Sequence, residues 1–195
     1  MSATKKAPAK SSDSAKIEFR SMVAADERNV LQFAQSLPKH DLLFLPRDIS
    51  QEKVLRAWIG EIESGAIKSL IAEQDGVVLG CGTLVRDQFS WSPHVCELRI
   101  VVSPVARGTG VGRRLLRDCF EMALSMESQK IVAQMTSDQV DAISLFRGLG
   151  FREEALLRDH VRDANGQKHD IVVLAHDIAK FATSLNAFGA VNRGD

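Results

Sequence analysis

Between Val101 and Leu116 the chain reads Val-Val-Ser-Pro-Val-Ala-Arg-Gly-Thr-Gly-Val-Gly-Arg-Arg-Leu-Leu. A β-branched run enters a turn rich in glycine. An apolar stripe at helical spacing follows, formed by Val111, Leu115, Leu116, Cys119, Phe120, Ala123 and Leu124, so the order is strand, turn, helix. The first amides of such a helix have no partner inside it, and the aligned peptide dipoles add roughly half a positive charge there. Glycine lacks the Cβ that would keep an anion off the backbone, so the turn is a candidate phosphate or pyrophosphate site. Each helical glycine costs about 1 kcal/mol relative to alanine, which argues that something needs three of them.

Spacing separates the uses of this device. A P-loop requires Lys-Ser/Thr after its last glycine, but Arg113-Arg114 stand here. A dinucleotide fingerprint counted from Gly108 reaches Gly110 and then Arg113, so its third glycine is missing. A nucleotide-dependent oxidoreductase is thereby disfavoured. What remains is Arg-x-x-Gly-x-Gly, filled by Arg107, Gly110 and Gly112.

Other side chains are weaker signals. His40, His94, His160, His169 and His176 show no HxxxH spacing, so no metal site is expected. Cys81, Cys96 and Cys119 are odd in number and form no CxxC pair, which fits reduced thiols in a cytoplasmic setting. Trp91 is expected to pack between strands. The run Leu42-Leu43-Phe44-Leu45 is read as core, as an acceptor pocket or as a dimer face, and Asp41 and Asp48 beside it as solvated loop acids.

Around the turn, apolar periodicity lays out the remaining elements. Ile17–Met22 reads as a strand. Asp26 precedes a helix with Val30, Phe33, Ala34 and Leu37 on one face, ended by Pro38. After a loop over 38–49, Ser50 is placed to cap a second helix carrying Val54, Leu55, Trp58, Ile59 and Ile62, closed at Gly65. Asp75-Gly76 between two β-rich runs is a strong hairpin signal. Strands follow at 94–103 and 130–136, a short helix carries Val140, Ile143, Phe146 and Leu149, and two strands flank the turn at Asp163–Gly166. The order β-α-α-β-β-β-α-β-α-β-β predicts an α/β domain. Its mixed, mostly antiparallel sheet has six to seven strands, one parallel β-α-β crossover at 95–136, and helices on both faces.

Length and composition agree with one domain. The 195 residues are 45% hydrophobic and 26% charged, and 25 basic side chains balance 25 acidic ones. That neutrality argues against a nucleic-acid binder, and no apolar run approaches the length of a bilayer span. Residues 1–16, with four lysines among Ala, Ser, Thr and Pro, are expected to form a solvated leader. The domain is expected over 17–180, with a partly helical tail over 181–195. The chain has no tyrosine.

The pattern V-x-P-x-x-R-G-x-G-V-G, the block AISLFRGLGF at 142–151 and the element order resemble the GNAT superfamily of N-acetyltransferases over about residues 17–178. The resemblance implies that backbone amides across Arg107, Gly108, Thr109, Gly110, Val111 and Gly112 hold the pyrophosphate of acetyl-CoA. It further implies that the strand ending near Val102 splays from its neighbour, leaving Ile100, Val101 and Val102 to bind the pantetheine arm. The implied activity is acetyl transfer to a primary amine of a small molecule or peptide, without a metal; a homodimer is allowed. The acceptor would enter between the loops 38–50 and 158–170. The alternative is a non-catalytic acyl-CoA-binding module of the same fold.

Glu97 stands where members of the superfamily often carry a glutamate that takes the proton of the attacking amine. Alternation puts it on one sheet face with Val95, Arg99 and Val101, so a salt bridge to Arg99 competes with the role of base. The superfamily's thiol-protonating tyrosine is replaced by Phe146, and its asparagine just ahead by Gln139; Ser137, Ser144 or a water could assist the leaving thiolate. Cys96 falls on the opposite face from Glu97 with no base beside it, which favours direct transfer over a covalent route.

Overall fold

The computed structural model describes residues 16–178; the expected leader, except Lys16, and the 181–195 tail lie outside the described residues. Seven strands form one sheet in the order β1-β2-β3-β4-β5-β7-β6. They are β1 (Glu18–Ser21), β2 (Ile67–Gln74), β3 (Val77–Val85), β4 (Val95–Val102), β5 (Lys130–Thr136), β6 (Arg152–Arg162) and β7 (Lys168–Asp177). Four α-helices join them: α1 (Glu27–Ser36), α2 (Glu52–Glu63), α3 (Val111–Ser125) and α4 (Val140–Gly148). All neighbours run antiparallel except β4 and β5, the pair joined through α3. The expected fold class is therefore the observed one.

The β2–β3 hairpin turns on Asp75 and Gly76 alone, both in the left-handed region at φ 52° and 78°. Positive φ at both central residues is what a two-residue turn between twisted strands requires. One face of β2–β4 packs on α1 and α2, where Val30, Phe33, Leu55 and Ile59 meet Ile71, Cys81 and Val101. The opposite face packs on α3 and α4, where Leu116, Cys119, Ile143 and Phe146 meet Leu98, Ala133 and Met135. Close approach of α3 to β3 depends on glycine. A Cβ at Gly82 would stand 2.6 Å from Cys119 Sγ, and one at Gly80 would stand 2.9 Å from Leu115 Cδ1.

Three local expectations are corrected. Ser50 does not cap α2, because its hydroxyl donates to Asp48 Oδ1 at 2.6 Å and Gln51 occupies the cap position. Trp91 does not pack between strands; it is 101% exposed in the β3–β4 connection, beside a fully exposed Phe89. The 158–170 stretch is not a loop but the end of a long hairpin. Three residues, Arg158 to His160, bulge opposite Asp170 between the pairs Leu157↔Ile171 and Val161↔His169. Asp159 takes a positive φ there, and its amide donates to Asp170 Oδ1 at 2.8 Å.

Candidate active site

The parallel pairing of β4 with β5 runs only from Val95↔Lys130 to Glu97↔Val132. Beyond Glu97, β4 remains bonded to β3 as far as Gly80↔Val102, and β5 to β7 as far as Thr136↔Ile171. The two strands diverge, so the edges that face each other have no strand partner past that point. Backbone amides and carbonyls along such an edge need partners from elsewhere. A cleft of about 700 Å³ fills the gap.

Nine of the side chains and glycines singled out from the sequence line this cleft: Ile100, Val101, Val102, Arg107, Gly108, Gly110, Gly112, Gln139 and Phe146. At its end Gly108 and Gly110 take φ 73° and 93°, and Gly110 caps α3. The first bond of the helix is from the Arg114 amide to the Gly110 carbonyl at 3.0 Å. The amides of Val111, Gly112 and Arg113 therefore precede the helical ladder. Gly112 opens the wall: a Cβ there would lie between Val102 Cγ2 at 3.5 Å and Leu145 Cδ2 at 3.6 Å, both on cleft residues.

The side chains of Thr109 and Val111 do not reach the cleft. The Thr109 hydroxyl donates to the Ala106 carbonyl at 2.6 Å, and Val111 is buried against Ala72, Ala106 and Leu115; only their backbone belongs to the turn. Arg107 pairs with Asp41 from the 3-10 turn Lys39–Leu42. Asp41 is thus a partly buried ion-pair partner across the cleft mouth rather than a solvated loop acid. Gln139 precedes α4 at its cap position and lines the cleft, and its Oε1 accepts from the Thr136 amide at 3.3 Å. Phe146 is buried and meets Phe151 edge-on with ring centroids 5.0 Å apart. Neither Ser137 nor Ser144 is among the residues lining the cleft.

Glu97 lies on the other sheet face. Arg99 Nε and a terminal guanidinium nitrogen donate to its two carboxylate oxygens at 2.9 and 2.8 Å. The expected salt bridge between Glu97 and Arg99 is therefore present, with each oxygen keeping a second lone pair. Arg99 and Val101 border a second cavity of about 260 Å³, roofed by Leu45, Ile49, Val54 and Trp58 from α2 and the loop before it. Val101 borders both spaces. The apolar run at 42–45 divides accordingly: Leu42 is buried in the core, Phe44 lines the cleft and Leu45 the second cavity.

All three cysteines are buried. Burial pushes the Cys81 thiol up to about 12 and raises Cys96 and Cys119 as well. A thiol held protonated is a poor nucleophile.

Sequence spacing missed His40, Arg113 and Asp138, which also line the cleft. His40 and Asp138 come from the 3-10 turn and the β5–α4 turn, far apart in the chain, so no local motif could have joined them.

Residues 34–151 match the acetyltransferase (GNAT) family. An IAA acetyltransferase of Azospirillum brasilense is 32% identical over 87 residues, 45% of this chain and 56% of that protein. The chain thus matches little more than half the length of that curated relative. A ribosomal-protein-alanine N-acetyltransferase from Brucella melitensis superposes with a TM-score of 0.71 at 22% identity, covering 82% of this chain and 99% of that one. A phosphinothricin acetyltransferase from Sinorhizobium meliloti, in complex with acetyl-CoA, gives 0.71 at 21% identity, over 83% and 88%. At these identities the two structures establish the shared fold.

Proposed function

This chain belongs to the acetyltransferase (GNAT) family, and on that premise we propose that it moves an acetyl group from acetyl-CoA directly to a primary amine. The observation that carries the reading is the divergence of β4 and β5 past Glu97↔Val132, opening a cleft that ends on the unpaired amides of α3. An arm bearing amides fits the free strand edges, and a pyrophosphate fits the glycine turn. Val101 and Val102 flank the arm, the backbone from Arg107 to Gly112 receives the anion, and the Gln139 amide and Phe146 ring bound the thioester end. Acetyl-CoA supplies an activated carbonyl and a thiolate leaving group.

The protein's own contribution is placement and one proton transfer. Holding two reactants in contact lowers a barrier by about 7–11 kcal/mol at best. An amine with a pKa of about 8–10 is mostly protonated at neutral pH, so a carboxylate within reach, directly or through water, raises the reactive fraction. Glu97 takes that role on the face opposite the α3 side, beside the second cavity, and Arg99 holds its carboxylate in a fixed orientation. The departing thiolate, with a conjugate acid near about 8.5, leaves without the hydroxyl that Phe146 lacks.

The test is release of free CoA thiol from acetyl-CoA in the presence of spermidine, single amino acids or peptides with a free N-terminus. Amine-dependent release is expected with at least one acceptor, and Glu97→Gln should lower kcat by about 10²–10⁴-fold. A wild-type rate for Glu97→Gln would take Glu97 out of the mechanism. Tight acetyl-CoA binding with no release across the panel would favour the non-catalytic module.

A further inference from the structure

One group of side chains at the cleft mouth is unused by acetyl transfer as read above. His40 from the Lys39–Leu42 turn, Asp138 from the β5–α4 turn and His169 from β7 each bring one potential ligand atom within 4.8 Å of the others. The two imidazoles meet edge-on with centroids 5.0 Å apart.

His40 and Asp138 stand in close contact, with Asp138 Oδ2 2.8 Å from His40 Nε2, and this buried nitrogen has no well-aligned hydrogen-bond partner among the described residues. With zinc bonds of about 2.0–2.1 Å, tetrahedral ligand atoms stand about 3.3–3.4 Å apart, so the His40–Asp138 pair would open by about half an ångström to share an ion.

The third ligand is already oriented. Asp163 Oδ1 accepts from the amides of Asn165 and Gln167, both at 2.9 Å, which fixes the carboxylate. Its Oδ2 lies 3.3 Å from His169 Nε2, leaving Nδ1 as the free ring atom. A carboxylate on the far nitrogen is the common support of a metal-bound histidine, setting its tautomer and raising its basicity. Two imidazoles and one carboxylate suit zinc and its neighbours rather than calcium or magnesium.

We propose that His40, Asp138 and His169 form a three-ligand site for a divalent transition ion of the zinc class. Because His40 and Asp138 line the cleft, the remaining coordination position opens toward it. The ion ties the 39–42 turn, which also carries Asp41, to β7 and to the start of α4. The site stands independently of the acetyl-transfer reading, and its test does not use activity.

The full chain without a histidine tag is stripped with chelator, dialysed and titrated calorimetrically with zinc chloride. One ion per chain is expected, with micromolar or tighter affinity, a raised unfolding temperature and visible d–d absorption when cobalt replaces zinc. His40→Ala and His169→Ala should each weaken zinc binding at least tenfold, and Asp163→Asn about 10–100-fold. His160→Ala, at an exposed histidine on β6 outside the cluster, should change nothing. Circular dichroism of the metal-free variants establishes that each is folded; Asp138→Asn replaces any that is not. No heat and no stabilisation at 100 times micromolar zinc would overturn the proposal. So would wild-type affinity in folded His40→Ala and His169→Ala.

Discussion

Replacing Gly112 by alanine separates what the fold needs from what a ligand needs. Gly112 is the second residue of α3 and has no positive φ. An added Cβ would meet Val102 Cγ2 at 3.5 Å and Leu145 Cδ2 at 3.6 Å, which is ordinary van der Waals contact. The folded protein therefore accepts alanine, and the helix gains up to about 1 kcal/mol from the better helix former. For a chain of this size that raises the unfolding midpoint by about 2–4 °C. Binding moves the other way. The methyl fills the wall of the cleft beside the unpaired amides and keeps a pyrophosphate from approaching them. Losing one charge-assisted hydrogen bond costs about 1.5–3 kcal/mol, which is about 10–150-fold in Kd. Calorimetric titration with CoA, together with thermal unfolding of the free protein, reads both effects. Unchanged CoA affinity in a stable Gly112→Ala variant would refute the assignment of the turn as the anion site. A lowered midpoint would refute the packing argument.

Two further predictions concern stability. Gly82→Ala should destabilise by about 1–3 kcal/mol, since its Cβ would stand 2.6 Å from the buried Cys119 Sγ; denaturant unfolding measures it, and pairing it with Cys119→Ala should recover much of the loss. Asp26 is buried and takes a bidentate contact from Arg20 at 2.7 and 2.8 Å; that hydrogen bonding holds its carboxyl below the usual carboxylate range. Its contribution is present above the unfolded pKa of about 3.9 and is lost as pH falls through the lower folded value. Asp26→Asn should remove that part of the acid sensitivity, seen as a flatter stability profile below pH 4.

What the residues disclosed in advance was local or strongly periodic. The Asp75-Gly76 hairpin announces itself because only a few residue types tolerate two successive positive φ values. The α3 entrance does so because glycines cluster where a helix must begin. The Ser50 cap failed because Asp48, two residues earlier, captured its hydroxyl, a competition among short polar side chains that residue preferences do not rank. The alternation of Glu97, Arg99 and Val101 put the first two together, and the structure joined them. It could not show that Asp41 would reach Arg107, or that His40, Asp138 and His169 would converge. Those contacts are made by the sheet order, which brings β7 beside β5 and folds the turn after α1 over the cleft.

The most direct single measurement is thermal unfolding with acetyl-CoA, CoA, NAD and ATP at matched concentrations. At 100 times its Kd a ligand stabilises by about 2.7 kcal/mol, or about 5–10 °C here. Acetyl-CoA and CoA should raise the midpoint by that amount while NAD and ATP leave it in place. No shift with acetyl-CoA or CoA, or an equal shift with NAD, would contradict the cleft between β4 and β5 as an acetyl-CoA site.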